Sequence, residues 1–143
     1  MKGYPKWFSV TMITSLMSLL MITGYLLAPT TLELKLQWEV PWRLTVEHRT
    51  YMAAAHAVMA LVIFSLMGSL WTLHMRQEWR RGNSRLSGVG MVVSLLLLGL
   101  TGVGIYYFGN EKLSQLSSLS HLGLGVLLTL VYFGHVFFLK KTS

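Results

Sequence analysis

Four long apolar runs alternate with short polar connections along this chain, roughly Trp7–Leu27, Tyr51–Leu73, Leu86–Phe108 and Leu116–Leu139. Each is near or above the roughly 20 residues that a helix needs to cross the hydrocarbon of a bilayer. The pattern predicts an all-α integral membrane protein, a four-helix transmembrane bundle that occupies residues 1–143 as one domain. The opening stretch resembles a signal peptide in its basic start and apolar run, but no small-x-small cleavage site follows cleanly, so it reads as a retained first helix.

Between the first two runs the pattern changes. TLELKLQWEV, residues 31–40, alternates apolar and polar side chains with the period of a half-buried strand, and Pro41 breaks it. The outward segment 28–50 is therefore expected to form an interfacial cap or a short hairpin, with Trp38 and Trp42 at the headgroup level. An exposed edge there could also meet a partner protein.

Composition agrees with the membrane reading. The chain is 53% hydrophobic and 12% charged, about half the charged share of a typical soluble domain. Lys2, Lys6, Arg76, Arg80, Arg81, Arg85, Lys140 and Lys141 lie on one side with only Glu78 among them. On the other side Lys35, Arg43, Arg49 and Lys112 balance Glu33, Glu39, Glu47 and Glu111, so the net +7 falls on one face of the membrane. The positive-inside rule then puts both termini in the cytoplasm, as expected of a multi-pass membrane protein. The high pI follows from this topology, and nothing else points to a nucleic acid. With no cysteine there is no disulfide, no thiolate metal site and no CxxCH attachment of haem.

The histidines carry the chemistry. His121 and His135 stand 14 residues apart in the last run, within about 40° of one another around a helix and roughly 21 Å apart along it. His56 and His74 stand 18 residues apart in the second run, which is five whole turns. Ionisable groups inside membrane helices are costly and usually belong to a site. The second and fourth helices run in the same direction, so the histidines match in order: His56 with His121 towards the outside, His74 with His135 towards the inside. Two neutral imidazoles with no carboxylate nearby suit a haem iron, which takes two axial ligands; zinc would want further protein ligands, and the first and third runs offer none. Small residues around His56, from Ala53 to Ala57 with Ala60, leave room for a second helix or a flat cofactor. His48 lies about 80° from His56 around the helix, at the water boundary, where it could contact a propionate or quinone or stand in as a ligand.

Thr23-Gly24 and Thr101-Gly102 occupy comparable depths in the first and third runs, each of which precedes a histidine-bearing run. They suggest a repeat of helix pairs. Thr-Gly is also a common membrane-helix dipeptide, and these residues alone do not decide between the two.

Parallel helices with inward histidines, one pair spaced H-x13-H, resemble the di-haem cytochrome b subunits of membrane-bound hydrogenases and formate dehydrogenases, and a group of small four-helix bacterial membrane proteins with an LTG-like turn before each histidine helix. The resemblance covers most of the chain and implies two b haems passing electrons between the quinone pool and a redox partner, a cytochrome or an iron–sulfur protein. It makes His56, His74, His121 and His135 the axial ligands. Arg49 and Arg43 on one side, and Arg76, Arg80 and Arg81 on the other, become candidate propionate partners. It also leaves room for a quinone near either haem edge. The 18-residue spacing departs from the pattern, since an x13 spacing would place the second ligand at Leu70. Two other classes remain open on the residues themselves. One is a pigment-binding or structural subunit of a photosynthetic or respiratory assembly; the other is a histidine proton relay. No acid–base or nucleophile constellation marks a stand-alone enzyme.

Overall fold

A computed structural model of the chain describes residues 10–71, 76 and 85–141. It is all-helical among those residues, with helix α1 at Val10–Leu36, α2 at Val46–Leu70, α3 at Arg85–Tyr107 and α4 at Glu111–Lys141. All four are long and apolar enough to cross a membrane. The sequence expectation for α3 agrees to within one residue at each end. The end of α1 and the starts of α2 and α4 run beyond their apolar runs, because these ends are fixed by polar chemistry that hydropathy does not register.

At the start of α2, Thr45 adopts an extended backbone and its hydroxyl accepts the amide of His48 at 3.4 Å, satisfying one of the unpaired donors of the first turn. At the start of α4, Asn110 does the same through Oδ1 for the amide of Leu113 at 3.2 Å, with Glu111 favourably placed against the positive end of the helix.

Of the two alternatives for residues 28–50, the hairpin is not formed. Residues 28–36 continue α1 through Pro29, and among residues 37–45 there is no strand. Proline costs α1 one amide donor, but the extension has its own anchors. Lys35 Nζ donates to Ser114 Oγ at 3.1 Å, and Gln115 Nε2 donates to the Lys35 carbonyl at 2.6 Å. The helix then stops at Gln37, whose backbone turns left-handed with φ 55° while its amide bonds the Glu33 carbonyl at 3.0 Å. Read helically, the alternation of residues 31–40 gives a segment gripped on one side and open on the other, with Leu34 exposed and Thr30 buried.

Contacts divide the chain into two compact units, Met1–Leu27 with Trp42–Arg85, and Ala28–Pro41 with Leu86–Ser143. In the first, Met17 and Leu20 of α1 and Ile63 of α2 are buried. In the second, Ser117, Ser118, Leu128 and Tyr132 form a buried stripe along α4, and Ser94 is buried on α3. The remaining faces carry exposed Leu, Ile, Val and Tyr side chains, such as Leu61, Leu100, Val103 and Leu130. Apolar groups outward, with serines and a threonine among the buried positions, is the arrangement that lipid, rather than water, favours.

Candidate functional site

The structure turns the repeated Thr-Gly dipeptide into a repeated piece of geometry. Thr23 on α1 and Thr101 on α3 each follow two leucines by three and four residues, Leu19-Leu20 and Leu97-Leu98. Each hydroxyl bends back onto both leucine carbonyls, at 3.0 and 2.9 Å for Thr23 and at 2.8 and 3.2 Å for Thr101. A threonine hydroxyl has one proton, so this contact fixes where it points and turns the oxygen lone pairs away from the helix backbone.

A histidine from the following helix meets each of those oxygens. His56 Nδ1 lies 2.9 Å from Thr23 Oγ1, and His121 Nδ1 lies 3.1 Å from Thr101 Oγ1. The leucine carbonyl three residues before the threonine takes part as well: His121 Nδ1 is 3.1 Å from the Leu98 oxygen, and His56 hydrogen-bonds the backbone of Leu20. A carbonyl oxygen can only accept, and the threonine proton is already committed to the backbone. At His121 the carbonyl contact makes Nδ1 the protonated nitrogen, and at His56 the threonine proton committed to the backbone gives Nδ1 the same role; in a neutral imidazole the lone pair then sits on Nε2.

The glycine after each threonine lets the ring lie against the helix. A Cβ at Gly24 would stand 3.1 Å from His56 Cε1, closer than side chains normally pack; at Gly102 it would stand 3.5 Å from His121 Cε1, an ordinary contact. The two seats share one design, and the first is the tighter. Each histidine also sits at the same position along its own helix: His56 follows the first residue of α2 by ten positions (46 to 56), and His121 follows the first of α4 by ten (111 to 121).

The other histidines behave differently. His135 lies half-buried on the same stripe as His121, Leu128 and Tyr132, which supports the common face read from their spacing. His48 is exposed and bound to its own helix cap, with Nδ1 at 2.7 Å from Thr45 Oγ1. His74, Arg80 and Arg81 lie outside the described residues. Arg49 is half-exposed one heptad before His56, and seven residues are within about 20° of two whole turns, so the two share a face. Arg43 and Arg76 are exposed. The alanines divide: Ala53 and Ala60 are half-buried beside His56, whereas Ala54, Ala55 and Ala57 are exposed.

Among the described residues no group of three or more His, Asp or Glu side chains could hold a metal ion. Each seated histidine meets a hydroxyl, a carbonyl and a glycine. The hydrogen-bond partners Thr23 and Thr101 were not foreseen as functional residues, although their dipeptides stood out in the sequence. Comparison with protein-family models, with curated proteins and with solved structures finds no match, so the functional reading rests on the chemistry of the two seats.

Proposed function

We propose that this chain is a b-type cytochrome subunit of a bacterial cytoplasmic membrane, moving electrons between the quinone pool and a partner redox protein. His56, His74, His121 and His135 are its axial haem ligands. Both termini face the cytoplasm, on the positive-inside argument. The observation that carries the reading is the duplicated seat, in which a part-buried contact of Nδ1 with a threonine oxygen leaves Nε2 as the nitrogen to meet a ligand. Histidines that ligate metals almost always donate their other ring N–H in this way.

Bound haem supplies a one-electron iron couple. The chain's part is to hold the ligand rings in one orientation, to exclude water with the apolar walls of its helices, and to set ligand basicity through the hydroxyl and carbonyl acceptors. Arg49, on the His56 face nearer the membrane surface, is the propionate partner. No residue of the chain acts as a catalytic acid, base or nucleophile in this reading; substrate chemistry belongs to a partner subunit.

The test is a reduced-minus-oxidised spectrum with haem quantification on protein isolated from its native membrane. The expected result is a reducible b-type spectrum with about two haems per chain, part of which His121→Ala removes. If His56→Ala removes the same component, the two residues serve one iron. Protein purified from that membrane without haem sinks the proposal. A pigment-binding role is the second reading, because each seat holds a single histidine and the magnesium of a chlorin takes a single axial ligand. Extracted pigment would then show a chlorin spectrum in place of haem.

A further inference from the structure

Membrane helices often contain threonines and serines that bond back to their own backbone, and this chain has several. Thr50, Ser65 and Thr129 each donate to the carbonyl four residues earlier, at 2.9, 2.9 and 2.8 Å. Thr23 and Thr101 go further: each reaches two carbonyls at once and also meets a histidine. Back-bonding alone accounts for the first group. It does not account for the second, where the same arrangement recurs on two helices that share little other sequence.

We infer that Thr23 and Thr101 are positioning residues: each takes a share of the Nδ1 proton of its histidine and thereby sets the direction and the donor strength of Nε2. What Nε2 binds is the content of the haem proposal, on which this inference rests for its redox consequence. The arrangement of the ring itself stands without it. The hydroxyl suits this part because its proton is spent on the leucine carbonyls, so only its acceptor side faces the imidazole. A carboxylate in the same place would draw the Nδ1 proton far more strongly and would put a charge in the hydrocarbon, at high cost. A neutral acceptor polarises the ring mildly and keeps it neutral.

The direction of the effect follows. A stronger bond at Nδ1–H makes Nε2 a better electron donor, which favours the ferric form of an axially bound iron and lowers its potential. Replacing threonine by valine keeps the shape of the side chain and removes the acceptor, leaving the leucine carbonyl alone to hold the proton. Haem affinity should fall by about 10- to 100-fold at the altered seat, and the midpoint potential of the affected haem should rise. Serine keeps the hydroxyl and should restore both.

The experiment uses the full-length chain labelled with ¹⁵N-histidine in lipid nanodiscs, first without haem and then loaded. Without haem, the ring nitrogens of His56 and His121 should report the Nδ1–H tautomer. Thr23→Val should then shift the His56 signals and leave those of His121 in place, Thr101→Val should do the reverse, and the Thr→Ser variants should keep the native signals. In the loaded protein the valine variants should raise the midpoint potential and the serine variants should not. An Nε2–H tautomer in the native chain overturns the inference, and so do valine variants that leave ring signals and potential unchanged. A chain that takes up no haem yet shows the tautomer and the site-specific shifts overturns the haem proposal alone.

Discussion

The side-chain amide of Gln115 donates to the backbone carbonyl of Lys35 across 2.6 Å, so the first turns of α4 close the last turn of α1. Carbonyls at the end of a helix have no partner within it, and in return Lys35 Nζ donates to Ser114 Oγ at 3.1 Å. Gln115→Ala removes this cap at a cost of about 1 kcal/mol, the usual worth of a partly buried hydrogen bond. Amide exchange should quicken at residues 33–37, the turn closed by the bond from the Gln37 amide to the Glu33 carbonyl, and stay unchanged around His56. Unaltered exchange in that turn would show that the extension is held without Gln115.

Helices α3 and α4 approach closely at Gly104. A Cβ there would stand 2.6 Å from Ser117 Oγ and 2.8 Å from Phe108 Cε2, and Ser117 is buried whereas the Phe108 ring is half-exposed. The phenyl ring can swing aside; the serine has less freedom. Gly104→Ala should therefore destabilise the chain by roughly 1–3 kcal/mol, the usual cost of overpacking. Adding Ser117→Ala should recover at least about 0.5 kcal/mol of that, as expected for coupled neighbours. Thermal unfolding in detergent of the single and double variants measures the coupling, and strict additivity would mean that another contact decides the approach.

Thr45 caps α2 through its hydroxyl, which meets both the backbone amide and the ring of His48. Thr45→Ala should cost about 1 kcal/mol, and Thr45→Ser should cost much less because the capping oxygen remains. Faster exchange at the His48 amide is the local sign. If His48 served as a haem ligand in place of His56, freeing its ring in this way would also alter the b-type spectrum; under the reading proposed here the spectrum stays as it was.

Much of this architecture is legible in the chain because it depends on bulk properties. Four spans follow from hydropathy, and the shared face of His121 and His135 follows from helical period; both survive in the structure. The ends of the helices were harder to read. The alternation in TLELKLQWEV fits a strand by period, yet the segment is helical up to Leu36 because Ser114 and Gln115, some 80 residues away, supply its polar partners. No local pattern announces a partner at that distance. The Thr-Gly repeat was visible and undecidable for a related reason. Its meaning lies in where a hydroxyl proton points and which ring nitrogen meets the oxygen, and neither is written in residue identity alone.

The two seats are built alike but not equally tight, and this difference is testable with one pair of substitutions. A methyl group at Gly24 would press on His56 Cε1 at 3.1 Å, with Nδ1 at 3.7 Å and Nε2 at 4.0 Å. The ring cannot withdraw freely, because Thr23 Oγ1 holds Nδ1 at 2.9 Å. Gly24→Ala must therefore either stretch that bond or part α1 from α2, at roughly 1–3 kcal/mol. At Gly102 the same methyl meets His121 Cε1 at 3.5 Å, an ordinary contact. There alanine should be neutral, or stabilising by up to about 1 kcal/mol through its better helix propensity. The ring-nitrogen signals of His56 should move in Gly24→Ala, while those of His121 should hold nearly still in Gly102→Ala. Thermal unfolding should rank Gly24→Ala below the native chain and Gly102→Ala level with it or above. Equal effects at the two glycines would show that the closeness of ring to backbone does not distinguish the seats.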